Sequence, residues 1–200
     1  MGRHSKQKKE QRAAVARRQQ QKQQPKSEDT PENKVRVVDT DALTINMVWP
    51  GDKNAKQLLP IAKAFGYKWY PDIIEWNSKP RIEPGYVRCG FVAHDPGTGQ
   101  LYGFVLFQAC KGLQFGGMLG VTYVDEVQLT DLAVHPCVRN RGVATRLLSQ
   151  VEAWGRSLEF KNIGAEAFPD VQPFYLKLGW KVHTTNYGGK ESAWMRAPLK

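Results

Sequence analysis

Apolar and polar positions change period several times along this chain, and the changes predict alternating strands and helices. Runs rich in β-branched and aromatic residues, or alternating with polar ones, predict strands at 35–38, 44–49, 86–95, 101–111, 123–134, 162–168, 181–183 and 192–197. Apolar residues at helical spacing predict helices at 54–65, 143–154 and 172–178. The chain is therefore expected to be an α/β protein whose sheet is flanked by helices.

Glycine and proline mark the expected breaks between these elements. Pro60 lies inside the first helical stretch and predicts a kink or break there. The aromatic and proline-rich segment 67–84 is expected to form a loop or a short helix. The sequence of 96–100 is typical of a hairpin turn, and 112–120 is expected to be a glycine-rich loop that acts as a mobile flap.

The central predicted helix follows a strand, a proline and a basic turn. Its apolar face consists of Val143, Leu147, Val151 and Trp154, with Ala144 and Leu148 beside it. Gly155 is expected to end the helix and Gly142 to lie at its start. The first turn of a helix offers unpaired N–H groups and a partial positive charge, and Arg139 and Arg141 add full charges. This combination predicts a cradle for a phosphate-bearing ligand.

The positive charge of the chain is concentrated at its start. The 200 residues carry a formal net charge of +10, and residues 1–24 hold eight Lys or Arg and one Glu, a net charge of +7. Residues 1–34 contain few large apolar side chains, so we expect a disordered basic tail followed by one domain over 35–200. The tail is either a solvated arm or a segment that makes weak, salt-sensitive contact with nucleic acid through residues 1–24.

The remaining composition narrows the class of protein. Cys89, Cys110 and Cys137 show neither metal-ligand nor disulfide-framework spacing, which favours a reducing cytoplasm and no metal site. Cys89 and Cys110 are expected to be buried, and His135 is expected to be a turn residue rather than a ligand. No apolar run approaches the ~18 residues of a membrane span, and the first residues do not resemble a secretion signal.

Two motifs together resemble one protein family. The first is Arg139-x-x-Gly142-x-Ala144 between a strand and a helix, and the second is Phe174-Tyr175-x-x-Leu178-Gly179-Trp180. Both resemble signatures of the GNAT superfamily of N-acetyltransferases, with Trp180 in the final aromatic place. The resemblance implies the GNAT fold, a mixed and mostly antiparallel splayed sheet flanked by helices, and acetyl-CoA as the co-substrate.

The resemblance also assigns roles to residues. It implies that the end of the central strand offers backbone bonds to the pantetheine arm, and that the basic turn and helix start wrap the pyrophosphate. It implies that Phe174 packs near the cofactor and that Tyr175 is the general acid for the departing thiolate. The cofactor-binding residues expected on this basis are Leu132, Ala133, Val134, Arg139, Asn140, Arg141, Gly142, Val143, Ala144, Thr145 and Phe174.

The general base is less well marked. Strand alternation predicts that Glu126, Gln128 and Thr130 share one face, whereas Asp125 and Asp131 share the other. Many relatives have a carboxylate at the place that Gln128 occupies here. Glu126 is therefore the first candidate base, Asp131 and Glu166 are the others, and a water relay is an open alternative.

Two functional hypotheses follow. The first is an enzyme that moves an acetyl group from acetyl-CoA to a primary amine by direct attack; the amine belongs to a small molecule, a protein N-terminus or a lysine. The second is a non-catalytic scaffold of the same fold whose tail engages nucleic acid or a ribonucleoprotein. Trp49, Trp69, Tyr70 and Trp76 are candidates to line the acceptor groove, and both a monomer and a homodimer remain open.

Overall fold

The computed structural model describes residues 38–64, 66, 70–78, 82–83, 86–115, 121–185 and 191–199. The chain divides into two units between Val38 and Asp39, so the larger unit begins four residues after the predicted domain start. The predicted tail over 1–34 and most of the predicted strand at 35–38 lie outside the described residues. No helix in the described ranges is both long and apolar enough to cross a membrane.

The described residues form eight strands and four α-helices. The strands are β1 (Thr44–Val48), β2 (Ile82–Glu83), β3 (Tyr86–His94), β4 (Leu101–Phe115), β5 (Val121–Val134), β6 (Asn162–Ala167), β7 (Lys181–Thr185) and β8 (Ala193–Pro198). The helices are α1 (Lys53–Ala64), α2 (Tyr70–Ser78), α3 (Val143–Ser157) and α4 (Gln172–Lys177). The sheet order is β1-β3-β4-β5-β6-β8-β7, and the short strand β2 pairs with β3.

The sheet is mixed, as predicted, and its one parallel pairing divides it. Every strand pair among the described residues is antiparallel except β5 with β6. The β5–β6 ladder runs only from Glu126 opposite Asn162 to Leu129 opposite Ala165. Beyond that point residues 131–134 pair with β4 alone, whereas β6 continues beside β8. The two halves of the sheet therefore separate at the end of β5, which confirms the splayed sheet.

Each face of the sheet is covered by different helices. Helix α3 packs on one face, where the ring of Trp154 lies 5.0 Å from that of Phe107. The predicted apolar face of this helix is confirmed, because Val143, Leu147, Leu148 and Val151 are all buried. Helices α1 and α2 cover the opposite face, with a core that includes Leu58, Ile73, Trp76, Phe104 and Leu106.

Three predicted breaks are absent from the structure. Helix α1 continues through Pro60, whose ring is exposed. The carbonyl of Lys56, which loses its helical donor there, lies on the same solvated part of the helix and can bond to water. Strand β4 extends to Phe115, so 112–115 belong to a β4–β5 hairpin and only 116–120 of the predicted flap lie outside the described residues.

Gly155 does not end helix α3, which continues to Ser157. A Cβ atom built on Gly155 would lie 2.8 Å from Cδ1 of Leu199 and 3.1 Å from Cγ2 of Val127. The glycine is therefore needed for the close approach of helix and sheet rather than for a helix end. The predicted loop or short helix at 67–84 contains the helix α2.

A β-bulge corrects the predicted faces of β5. The register with β4 shifts so that Leu129 lies opposite Phe107 and Asp131 opposite Leu106, leaving Thr130 as the extra residue. An extra residue reverses the alternation that follows it. Asp131 therefore lies on the same face as Glu126 and Gln128, contrary to the expectation from simple alternation.

Candidate active site

The basic turn between β5 and α3 has an unusual backbone. Pro136–Val138 form a single 3₁₀ turn, and His135 accepts a hydrogen bond from the N–H of Cys137 at 3.2 Å. Asn140 has a φ of 60° and Gly142 has a φ of 80°, both in the left-handed region. These two residues bend the chain sharply between the end of β5 and the start of α3.

The start of α3 leaves room for an anion. Gly142 is the N-cap and has no side chain to occupy the first-turn N–H groups. A Cβ atom built on Gly142 would meet nothing within 4 Å, so the space in front of this residue is open. Arg139 and Arg141 beside it are both exposed, and Nε of Arg139 donates to the carbonyl of Val134 at 3.1 Å. The turn thus combines helix N–H groups, two cations and open space, which suits a pyrophosphate.

Arg146 secures this helix start against the beginning of the domain. Its guanidinium donates to the carbonyl of Thr40, and its Nη2 donates to the carbonyl of Leu43 at 2.9 Å. The segment before β1 is therefore held beside the first turns of α3. Arg146 is thus used to hold backbone carbonyls, whereas Arg139 and Arg141 are exposed residues of the basic turn.

The end of β5 offers a second kind of contact to the same ligand. Leu132, Ala133 and Val134 pair with β4 on one side of the strand, and no described residue of β6 pairs with them on the other. The backbone groups on that side face the gap of the splayed sheet. They could bond to an extended chain with amide groups, such as a pantetheine arm.

A pocket of about 390 Å³ lies on the α1 and α2 face of the sheet, next to the end of β5. It is lined by Glu75, Trp76, Arg88, Gln108, Gln128, Leu129, Thr130, Asp131, Glu166 and Trp194. We call it the sheet pocket. Three carboxylates and one guanidinium make its lining acidic on balance, which favours a cationic ligand such as an ammonium group.

The carboxylates of the sheet pocket are not equivalent. Asp131 is only 3% exposed, whereas Glu166 is open to solvent and accepts a hydrogen bond from the hydroxyl of Ser192 at 2.7 Å. The side-chain amide of Gln108 donates to that of Gln128 at 3.1 Å on the pocket wall. The bulge at Thr130 is what brings Asp131 to this wall.

Glu126 does not line the sheet pocket. It is 5% exposed, and its Oε1 lies 2.9 Å from Nε of Arg196, in an ion pair whose angles are poor for a hydrogen bond. A Cβ atom built on Gly164 would lie 2.7 Å from that oxygen and 2.6 Å from the indole of Trp194. Glu126 thus lies close to the pocket-lining Trp194 without lining the pocket itself.

Tyr175 also lies outside the pocket lining. It is 6% exposed on α4, and its ring centre lies 4.8 Å from that of Trp180 and 5.2 Å from that of Phe174. Burial raises the pKa of the Tyr175 phenol to about 12. The phenol therefore stays protonated at neutral and moderately alkaline pH, as a hydrogen-bond donor must.

The cysteines are placed as the sequence predicts. Cys89 and Cys110 are buried, and Cys137 is exposed in the turn. Burial raises the pKa of Cys89, which keeps its thiol protonated and unreactive. Within the described ranges no group of three or more His, Cys, Asp or Glu side chains is arranged to hold a metal ion.

Sequence reasoning found only part of the pocket. Of the aromatic candidates, Trp76 lines it, Trp49 does not, and the side chains of Trp69 and Tyr70 lie outside the described residues. Glu75, Arg88, Gln108 and Trp194 were not predicted. Arg88, Gln108 and Gln128 do carry a signal, because each is a polar residue inside an apolar strand, and the registers place them side by side.

A sequence model described as the acetyltransferase (GNAT) family matches residues 63–180. This match covers more than half of the chain. It includes the basic turn, helix α4 and strands β3 to β6, which contribute to the lining of the sheet pocket. The chain therefore belongs to the GNAT family of acetyltransferases. No curated protein matches the sequence significantly.

Solved structures with the same fold come from distant relatives. The GNAT family N-acetyltransferase YhbS from Escherichia coli, in complex with CoA, is 21% identical with a TM-score of 0.55, over 80% of this chain and 82% of that one. Ard1 from Thermoplasma volcanium is 20% identical with a TM-score of 0.55, over 80% and 99%. The ribosomal-protein-S18-alanine N-acetyltransferase from Escherichia coli is 14% identical with a TM-score of 0.53, over 78% and 95%. At these identities the likeness establishes the fold alone.

Proposed function

We propose that this protein transfers an acetyl group from acetyl-CoA to a primary amine. Family membership supports an acetyltransferase. The observation that carries the proposal is the basic turn, where the N-cap Gly142 places no side chain at the start of α3 and a Cβ atom built on it would meet nothing within 4 Å. This feature meets the free edge of β5 at one end of the splayed sheet, with the acidic sheet pocket on the next stretch of the same strand.

The cofactor half of the site uses backbone more than side chains. Arg139, Asn140, Arg141 and Gly142, with the first-turn N–H groups of Val143, Ala144 and Thr145, would hold the pyrophosphate. The β5 edge at Leu132, Ala133 and Val134 would bond to the pantetheine arm, and Phe174 would pack beside it. Acetyl-CoA supplies an acetyl group activated as a thioester. A YhbS structure with the same fold was solved with CoA, which is consistent with this arrangement.

The amine half uses the carboxylates of the sheet pocket. An ammonium group must lose one proton before its nitrogen can attack the thioester carbon; the C–S bond then breaks and a thiol is released. Glu166 is solvated, oriented by Ser192 and on the pocket wall, so it can pass that proton to water. Glu126 stays a prediction as the base, but its carboxylate is held in an ion pair with Arg196 and does not line the sheet pocket.

The same geometry predicts that replacing Glu166 with an amide lowers kcat/KM more than the same replacement of Glu126. Glu166→Gln is expected to lower kcat/KM for the amine about 100-fold at neutral pH, within the usual range for general base catalysis. Glu126→Gln is expected to lower thermal stability, because it leaves Arg196 without its buried partner, and to change kcat/KM less. Steady-state kinetics and melting curves of both variants check the ranking. A larger kinetic effect at Glu126 with unchanged stability would reassign the base.

The cofactor half can be tested without knowing the acceptor. Acetyl-CoA at about 100 times its Kd should stabilise the folded chain by about 2.7 kcal/mol. For a domain of this size that raises Tm by about 5–10 °C. S-acetylpantetheine, which has the thioester but no pyrophosphate, is the control and should give a much smaller shift at the same concentration. Equal shifts for both compounds would exclude the basic turn as a pyrophosphate site.

No feature of the described residues favours the alternative hypothesis of a non-catalytic scaffold. It depends on residues 1–24, which lie outside the described part of the chain. The intact turn, the open strand edge and the acidic pocket instead all support the enzyme.

A further inference from the structure

Ser192 connects the start of β8 to the pocket carboxylate Glu166. It is the residue directly before β8 and is only 1% exposed, and its hydroxyl donates to Oε1 of Glu166 at 2.7 Å. Glu166 lies on β6 and is itself open to solvent. The hydrogen bond therefore joins a buried donor to an exposed acceptor.

The two ends of this bond differ in how firmly they are held. Ser192 has a short side chain, and its backbone runs directly into the β6–β8 ladder, where Ala167 lies opposite Ala193 and Glu166 opposite Trp194. Glutamate has a longer chain of rotatable bonds and loses much more rotamer freedom when it is fixed. An exposed side chain without a partner exchanges among its rotamers within nanoseconds. Ser192 thus fixes the orientation of Glu166 rather than the reverse.

The carboxylate that Ser192 fixes belongs to the wall of the sheet pocket. Glu166 and Trp194 both line this pocket, and they are paired in register across β6 and β8. A carboxylate has two oxygens that accept hydrogen bonds. With Oε1 held by Ser192, Oε2 of Glu166 can receive a proton from a ligand in the pocket.

We propose that Ser192 is a positioning residue for acetyl transfer, because its hydroxyl holds the Glu166 carboxylate in the orientation that takes the proton from the acceptor amine. The proton passes from the ammonium nitrogen to Glu166 and then to water, and Ser192 keeps its own proton throughout. A general base must lie within hydrogen-bond reach of the proton, so a fixed orientation favours the productive geometry. This inference rests on the proposed function, because Glu166 must be the base and the sheet pocket the amine site.

Single and double substitutions test whether Ser192 acts through Glu166. Ser192→Ala should lower kcat/KM for the amine about 10-fold, the size expected when one hydrogen bond to a charged group is lost. In a Glu166→Gln background, which lacks the base, Ser192→Ala should cause no further loss. The double variant should therefore stay about 100-fold below the unaltered protein, whereas independent effects would multiply to about 1,000-fold. Losses that multiply, or an unchanged kcat/KM in Ser192→Ala, would overturn the proposal.

Two further variants separate positioning from folding. Ser157→Ala makes the same change at the end of α3, where the hydroxyl donates to the carbonyl of Trp154, also at 2.7 Å. It should leave kcat/KM unchanged in both backgrounds. If Ser192→Ala fails to fold, Ser192→Cys retains a side chain of similar shape that is only a weak donor, and it enters the same cycle. A loss of kcat/KM that disappears in the Glu166→Gln background supports the proposal, and a loss that multiplies overturns it.

A structural measurement distinguishes failure of this inference from failure of the proposed function. Crystal structures of the unaltered protein and of Ser192→Ala show the orientation of Glu166 whether or not any amine is acetylated. If no amine is acetylated, but Glu166 has one conformer in the unaltered protein and several in Ser192→Ala, the proposed function fails and positioning by Ser192 stands. If acetylation proceeds, the losses multiply and Glu166 keeps one conformer in both proteins, the proposed function stands and the role of Ser192 is overturned.

Discussion

Replacing Gly142 with aspartate is expected to weaken acetyl-CoA binding about 100-fold. The side chain would enter the open space at the start of α3, where nothing lies within 4 Å of a Cβ atom. A carboxylate beside a bound pyrophosphate, near a protein surface, costs enough electrostatic energy for an effect of roughly this size. The change should be measured as a rise in Kd for acetyl-CoA by titration calorimetry.

Gly142→Asn is the matched control for this variant. Asparagine and aspartate have the same shape, and both tolerate the left-handed φ of 80° better than other side chains. Asparagine adds no charge, so its loss of affinity should stay within about tenfold. Aspartate at a helix N-cap should even stabilise the protein without ligand relative to asparagine, because it complements the helix dipole. Equal Kd values for the two variants would contradict an anion site at this turn.

The second large effect is expected at Tyr175. Tyr175→Phe should lower kcat about 100-fold with little change in Kd for acetyl-CoA if, as we propose, the phenol donates to the departing sulfur in the reaction. This is the lower part of the range for general acid catalysis. A phenol whose pKa is raised to about 12 is a weak acid for a thiolate, so it stabilises that charge mainly through a hydrogen bond. Single-turnover rates measure the effect on the chemical step.

The pH profile offers an independent check on Tyr175. Burial favours the neutral phenol in the folded state, so its donor function is retained until the pH approaches about 12. The unaltered protein should therefore show no loss of kcat from this group across the pH range in which it stays folded. The burial also adds stability below pH 10 that is lost as the pH rises through 10 to 12. A kcat that is unchanged in Tyr175→Phe would remove the acid role.

The strand, turn and helix that we propose for the cofactor could be predicted from the sequence because they are local. A strand, two arginines, Gly142 and the apolar face of α3 follow one another in a single stretch, and each has a distinct pattern. The structure confirms the strand, the turn and the helix at nearly the predicted bounds. The fold followed from the same stretch together with the second motif, since both resemble one family.

The sheet pocket, which we propose for the amine, could not be predicted in the same way because its lining depends on strand register. The bulge at Thr130 moves Asp131 to the pocket face, and no alternation pattern reveals an extra residue in a strand. Arg88, Gln108 and Gln128 become neighbours only when β3, β4 and β5 pair in register. Helix α1 contains Pro60 at an exposed position, where water can bond to the carbonyl that loses its donor. Which side of the helix is exposed is decided by tertiary packing and cannot be predicted from the position of the proline alone.

Acetyl transfer itself is the most direct test of the proposed enzyme. The full chain, incubated with acetyl-CoA and a panel of amines and peptides, should release one thiol for each N-acetylated product detected by mass spectrometry, and Gly142→Asp should abolish most of both. Equal amounts of the two products would establish transfer to the amine. Thiol release that does not depend on the amine, or no release with any member of an amine and peptide panel despite a clear acetyl-CoA melting shift, would contradict an N-acetyltransferase.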